Sequence, residues 1–160
     1  MKIILREFYY IFRGIYLFFF KKNGNNLEYI ENNGYKFMIS EKDRIFINKI
    51  RKEGGYQNSE LLRYKKLFQN SINNLIIGSH IGLMAIPLSP TSKTLYCVEA
   101  NPETYEIFKK NINLNKIENI KTYNFAAGNI EKEIFFLKNN DNSGGSKIIP
   151  KKIRPKYFYD

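Results

Sequence analysis

The hydrophobic and polar positions in the middle of the chain predict alternating strands and helices. Three short apolar runs predict strands, at residues 75–78, 94–100 and 119–127. A short helix separates the first two runs, and an amphipathic stretch from Pro102 to about Asn113 predicts a helix between the second and the third. Because strand–helix–strand–helix–strand with short connections forms a right-handed parallel sheet, we predict an α/β fold of the doubly wound, Rossmann-like class.

The preceding residues predict a smaller lead-in to this sheet. Two alternating stretches flank Asn33-Gly34, a pair that supplies the positive φ angles of a tight hairpin. Helices are expected at 41–52 and 59–70, the second with Ser59 as a suitable N-cap, and residues 131–137 predict a fourth extended piece. We divide the chain into a lead-in at 1–70, a partial sheet domain at 71–150 and a basic tail at 151–160.

The first twenty residues predict an amphipathic helix rich in aromatic side chains. Its longest uncharged run, at 14–20, is seven residues, which is far below the roughly 20 needed to cross a bilayer. Two interpretations stay open: the helix packs on the domain, or it lies in a membrane interface with its basic residues at the headgroups. Packing is favoured, since aromatic stripes usually belong to a core. The expected location is the cytoplasm, with peripheral membrane contact as the alternative.

Charge and composition narrow the classes of function. The single cysteine and the single histidine exclude a disulfide framework and a multi-histidine metal site, so we expect no metal. The formal net charge of +11 is that of a polyanion binder, but asparagine and isoleucine are as abundant as lysine. The lysine excess therefore indicates a general compositional bias rather than a binding face, and we expect nucleic acid not to be a partner.

Candidate chemistry follows the first two predicted strands. Gly78 and Gly82 come directly after the first strand, and Glu99 ends the second. Ligands of doubly wound sheets bind beyond the carboxyl ends of the strands, where Glu99 could accept hydrogen bonds from two ribose hydroxyls. The spacing is G-x-x-x-G rather than G-x-G-x-x-G, which disfavours a dinucleotide. These residues predict a cofactor that contains a nucleoside.

Four strings in this region resemble the FkbM-type S-adenosylmethionine-dependent methyltransferases, over roughly residues 35–149 and the N-terminal half of that domain. They are IGSHIG (77–82), VEANPETYEIFKKNINLN (98–115), FAAGN (125–129) and NNDNSGGS (139–146). The resemblance implies a class I methyltransferase fold, S-adenosylmethionine as cofactor, and O-methyl transfer to a hydroxyl of a sugar, lipid or small metabolite. It also implies the cofactor-binding residues: Gly78, Ser79, His80 and Gly82 on the methionine and ribose side, Glu99 on the ribose diol, Ala100 and Asn101 beside the adenine, and Asn124 and Ala126 on the opposite wall.

The chain departs from that family at two points. Ile76 stands where the family has an acidic residue, and the sheet ends after its first three parallel strands. We therefore expect an unpaired apolar edge at Leu75–Gly78. The chain is then a fragment, a half-domain that a partner chain completes, or poorly soluble. The alternative to an enzyme is a truncated, non-catalytic remnant or interaction subunit with residual cofactor binding. No catalytic residue is identified: we favour a role of His80 through its backbone over a catalytic role of its ring, and packing of Cys97 over a role as nucleophile.

Overall fold

The computed structural model describes residues 27–69, 71–130, 134–139 and 142–149. The predicted N-terminal helix and the predicted basic tail lie outside these residues. Within them, no helix is both long enough and apolar enough to span a membrane.

An antiparallel hairpin opens the described chain. It consists of β1 (Leu27–Asn32) and β2 (Tyr35–Ser40). Asn33 and Gly34 join the strands with φ angles of 52° and 80°, which confirms the predicted tight turn. The alternation of β2 places Phe37 and Ile39 on one face, where both side chains are fully buried.

Two helices follow the hairpin. A 3₁₀ turn (Glu41–Asp43) leads into α1 (Arg44–Glu53), and α2 covers Asn58–Phe68. The predicted N-cap at Ser59 is wrong, because the helix begins one residue earlier and Gln57 occupies the cap position. Ser59 lies in the first turn and its hydroxyl donates to the side chain of Glu60 instead.

The predicted parallel sheet is confirmed. Its three strands, in spatial order, are β3 (Asn73–Ile77), β4 (Thr94–Val98) and β5 (Ile120–Tyr123). A short helix, α3 (Ala85–Leu88), lies between β3 and β4, and α4 (Pro102–Leu114) lies between β4 and β5. Asn101 caps α4 by accepting a hydrogen bond from the Glu103 N–H at 3.1 Å, and Pro102 is the first helical residue, where its missing N–H costs nothing.

The last elements depart from the prediction. The extended piece expected at 131–137 is represented by β6 (Phe135–Leu137), which pairs antiparallel with β7 (Lys147–Ile149) in a separate ribbon. β5 is also shorter than the predicted 119–127, because the chain leaves the sheet after Tyr123 to form the wall of a cavity.

The core lies on one face of the parallel sheet and reaches the hairpin. Leu95 and Cys97 of β4 are fully buried in the same cluster as Phe37 and Ile39. Burial raises the pKa of the Cys97 thiol to about 12, so the group is neutral, as expected for a packing residue. The lead-in thus packs directly on the sheet. The predicted boundaries between residues 70 and 71 and between 150 and 151 stay a prediction.

The other face of the sheet is open in the described part of the chain except at Val98, which is 5% exposed. Leu75 and Ile77 of β3 are 58% and 62% exposed. β3 pairs only with β4 among the described strands, so its outer edge has no strand beside it. Among the residues that the structure describes, the apolar edge expected at Leu75–Gly78 is therefore unpaired.

Candidate functional site

A cavity of about 760 Å³ lies at the carboxyl ends of the three parallel strands. Six of the nine predicted cofactor-binding residues line it: Gly78, Ser79, His80, Glu99, Ala100 and Ala126. The topology brings them together, because the ends of neighbouring parallel strands meet at one edge of the sheet. This is the position at which doubly wound sheets bind ligands.

The turn after β3 leaves room for a ligand at its first glycine. The N–H groups of Gly78 and Ser79 both donate to the carbonyl of Val98, at 2.8 and 3.0 Å, which ties the turn to the end of β4. Gly78 has a φ of 80°, and a Cβ built on it would meet no atom within 4 Å. The left-handed backbone therefore requires glycine there, and open space faces it.

Glu99 is a buried carboxylate held by two backbone donors. The residue lines the cavity and is only 8% exposed. Oε2 accepts the His80 N–H and Oε1 accepts the Asn101 N–H, each at 2.8 Å. Each carboxylate oxygen can accept two hydrogen bonds, so each keeps one acceptor position. A pair of neighbouring hydroxyls, as in a ribose, matches these two positions.

His80 adopts a left-handed backbone, with a φ of 52°, that histidine tolerates better than most residues. This conformation turns its N–H toward Glu99. The expected role of His80 through its backbone stays a prediction. Its ring lies 5.1 Å from the ring of Phe46, and Nε2 is 2.5 Å from Oγ of Ser143. Burial lowers the pKa of the imidazole, against the opposing effect of the carboxylates of Asp43 and Glu99. The ring is therefore neutral at pH 7.

The structure places the other three predicted residues beside the cavity rather than in its lining. A Cβ on Gly82 would lie 2.5 Å from the ring of Phe108, so this glycine lets α4 pack closely on the turn. Asn101 caps α4. Asn124 Nδ2 donates to the carbonyl of Glu99 at 2.7 Å and steadies the end of β4. A cofactor contact at these three positions stays a prediction.

Several residues of the cavity escaped the sequence analysis. Phe46 and Tyr56 line it from the lead-in, and their rings meet edge to face at 5.5 Å. Ser143 and Gly144 line the cavity from the NNDNSGGS string. The sequence predicted no role for these two residues. Tertiary packing alone brings the two aromatic residues to the site, so no local pattern could have identified them.

The chain is similar to several solved structures, some of which are methyltransferases by name. Trm5b from Pyrococcus abyssi has a TM-score of 0.51 at 19% identity, over 66% of this chain and 30% of that chain. TYW2 from M. jannaschii, solved in complex with AdoMet, has a TM-score of 0.42 at 25% identity, over 62% and 43%. The tRNA m1G37 methyltransferase of M. jannaschii has a TM-score of 0.42 at 24% identity, over 63% and 30%. This chain thus spans less than half the length of each relative.

No curated protein sequence matches the chain. The model of one protein family does, the TRM5/TYW2 methyltransferase domain, over residues 29–136. The predicted resemblance to FkbM-type methyltransferases is therefore wrong. The strings that carried it contain the glycine turn after one strand and the acid after the next, and these describe a fold shared by many methyltransferase families. The sugar, lipid or small-metabolite hydroxyl acceptor, which rested on that resemblance alone, has no support.

The expectation that nucleic acid is not a partner is also wrong for such a domain, since a solved relative is a tRNA methyltransferase. The compositional bias was a poor reason to discount the net charge, because a bias toward lysine and a binding charge are not exclusive. The predicted methyltransferase domain itself is confirmed. Because the family model matches more than half of the 160 residues, this chain belongs to the TRM5/TYW2 methyltransferase domain family.

Proposed function

We propose that this chain is the cofactor-binding part of an S-adenosylmethionine-dependent methyltransferase that acts on tRNA. The observation that carries the cofactor assignment is the geometry of Glu99. Two backbone N–H groups fix the carboxylate at the end of β4, and one acceptor position remains on each oxygen. A freely rotating surface glutamate would lose side-chain entropy on binding a diol, whereas Glu99 is already ordered.

The surroundings of Glu99 fit the remaining parts of the cofactor. Ala100, Phe125 and Ala126 line the same cavity and offer an apolar surface for an adenine ring. The open space at Gly78 accommodates the sulfonium and methionine end. When bound, S-adenosylmethionine supplies an electrophilic methyl group, so the protein's main tasks are to align the acceptor and exclude water.

The family and the charge of the chain support tRNA as the acceptor. A solved relative is a tRNA methyltransferase, and this chain carries a formal net charge of +11, which favours binding to a phosphate backbone. The relatives are more than twice as long as the matched part. The tRNA contacts of the whole enzyme therefore extend beyond the cofactor site described above.

Titration of the chain with S-adenosylhomocysteine by calorimetry tests the cofactor assignment. We expect saturable binding that is about 10- to 100-fold weaker in Glu99→Gln, because the loss of a charged acceptor costs about 1.5–3 kcal/mol. Glu106→Gln is the matched control, since Glu106 is an exposed residue of α4 paired with Lys109. If the wild type and Glu99→Gln had the same melting temperature and bound S-adenosylhomocysteine with equal affinity, this role of Glu99 would be excluded.

Methyl transfer tests the acceptor. With labelled S-adenosylmethionine and unmodified tRNA, we expect label in the RNA and tRNA binding that weakens steeply with salt. Incorporation into lipid or carbohydrate fractions of a cell extract, with none in RNA, would contradict the proposal.

A further inference from the structure

A chain of hydrogen bonds links a buried carboxylate to the one histidine of the protein. Asp43, at the end of the 3₁₀ turn, is 1% exposed. Its Oδ1 accepts the Ser143 N–H at 2.7 Å, and its Oδ2 accepts the Ser143 hydroxyl at 2.8 Å. The same hydroxyl oxygen is 2.5 Å from Nε2 of His80. Asp43 and Ser143 are 100 residues apart, so the fold assembles this chain from the lead-in, the glycine turn and the 143–145 turn.

Counting donors assigns the proton on the imidazole. A serine hydroxyl has one hydrogen, and a carboxylate can only accept. The hydroxyl of Ser143 therefore donates to Asp43, and the bond between Ser143 and His80 needs its hydrogen from the ring. Neutral His80 is then protonated on Nε2, and Nδ1 carries the lone pair.

The second ring nitrogen makes no hydrogen bond within the described part of the chain. Nδ1 of His80 has no hydrogen-bond partner among the described residues. In that part of the chain, the one fully buried side-chain polar atom without a partner is Asn142 Oδ1, so Nδ1 is not sealed from solvent. His80 also lines the cavity in which cofactor and acceptor would meet, so its ring carries an unpartnered nitrogen, not fully buried, beside that space.

We propose that His80 is the catalytic base of this site and that Asp43 and Ser143 are the positioning residues that keep Nδ1 basic; this rests on the proposed methyltransferase function. The acceptor's N–H or O–H bond breaks as its lone pair forms a bond to the methyl carbon. The C–S bond breaks with its electrons left on sulfur, and the proton moves to Nδ1. The imidazolium so formed is stabilised by Asp43 through Ser143 and by the nearby carboxylate of Glu99.

The surroundings of the ring set the pH range of such a base. Asp43 faces it from the 3₁₀ turn and Glu99 from the end of β4, while Tyr56 and Lys147 line the same cavity. Burial outweighs the two carboxylates and lowers the pKa of His80 below its ordinary 6.5. The base form therefore persists below pH 6.5, and methyl transfer should be lost only as the pH falls through that lower value.

Nitrogen NMR of the histidine tests the relay without any need for activity. The chain has one histidine, so ¹⁵N-histidine labelling gives one pair of imidazole signals. We expect the Nε2–H tautomer at pH 7.5. In Asp43→Asn the new amide can donate to Ser143, whose hydroxyl then donates to Nε2, so the tautomer should shift to Nδ1–H. Ser143→Ala, which also breaks the relay, should weaken the preference for Nε2–H, and Glu41→Gln on the same 3₁₀ turn should not change it.

His80→Asn tests the base itself. Asparagine tolerates a positive φ, so its N–H can still donate to Glu99. We expect S-adenosylhomocysteine affinity within about threefold of wild type and methyl transfer reduced about 100-fold or more. An Nδ1–H tautomer in wild type, or full activity in His80→Asn, would overturn the inference. Absence of S-adenosylhomocysteine binding in wild type would instead overturn the proposed function, whatever the tautomer.

Discussion

The two faces of the parallel sheet have similar side chains and opposite surroundings. Ile76, Leu95 and Cys97 point to the face that packs against the helices and the hairpin. Leu75, Ile77 and Tyr123 point to the other face and are 58%, 62% and 43% exposed. The register makes the assignment secure, because Leu75 lies beside Tyr96, and Ile76 lies beside Cys97.

The difference shows what hydrophobicity alone does and does not specify. β3 is apolar on both sides, a pattern typical of parallel strands that are buried on both faces. The described residues cover one of these faces. Apolar positions with the parity of the covered face therefore contribute most to the described fold, and Val98 is a buried exception on the other face.

The largest expected change in stability is seen when one leucine on each face is truncated and the two variants are compared. Leu95→Ala should lower the free energy of unfolding by about 2–5 kcal/mol, since it leaves a cavity in a fully packed cluster. Leu75→Ala should lower it by only about 0.5 kcal/mol, because most of that side chain already contacts water. Urea denaturation followed by circular dichroism measures both. Equal losses in the two variants would mean that the open face is also packed.

Substitution of a buried polar residue that packs on the covered face should give the next largest loss of stability. Asn111 is fully buried on α4; it accepts the Met38 N–H at 2.7 Å and donates to the carbonyls of Met38 and Ile81 at 3.0 and 2.9 Å. Asn111→Ala leaves these groups of the hairpin and the glycine turn unpaired, so we expect a loss of about 1–3 kcal/mol.

Asn113→Ala is the control for this substitution, because Asn113 is exposed on the same helix. We expect its urea midpoint to stay at the wild-type value. If Asn111→Ala behaved like Asn113→Ala, the hairpin would not depend on α4 for its hydrogen bonds.

These asparagines illustrate what the sequence could not predict. The abundance of asparagine indicates a compositional bias, yet Asn111 accepts a hydrogen bond from Met38 of β2, which is 73 residues away along the chain. Strands, helices and the cap at Asn101 follow from local patterns, and the predicted elements of the sheet are correct for that reason. A hydrogen bond between distant segments leaves no periodic signal.

The candidate site likewise contains residues that the sequence could predict and residues that it could not. Glu99 and Gly78 could be predicted because each directly follows an apolar strand, where the topology of parallel sheets places ligands. Asp43 and Ser143 could not, since the fold joins them across 100 residues. The predicted FkbM family was wrong for a related reason. The strings around Gly78 and Glu99 are typical of a fold that several families of methyltransferases share, so they do not identify one family.

The smallest expected effect on stability comes from charging the open face. In the double variant Leu75→Lys, Ile77→Lys, each new side chain extends from a position that is more than half exposed. We expect a change of less than about 0.5 kcal/mol in the free energy of unfolding, and reduced self-association at high concentration, because an exposed apolar edge strand is a template for pairing. Light scattering against concentration measures the association, with Lys36→Ala on the hairpin as a control substitution at another exposed site. A fall of several degrees in melting temperature would contradict this, since it would show that these two side chains are buried by something outside the described residues.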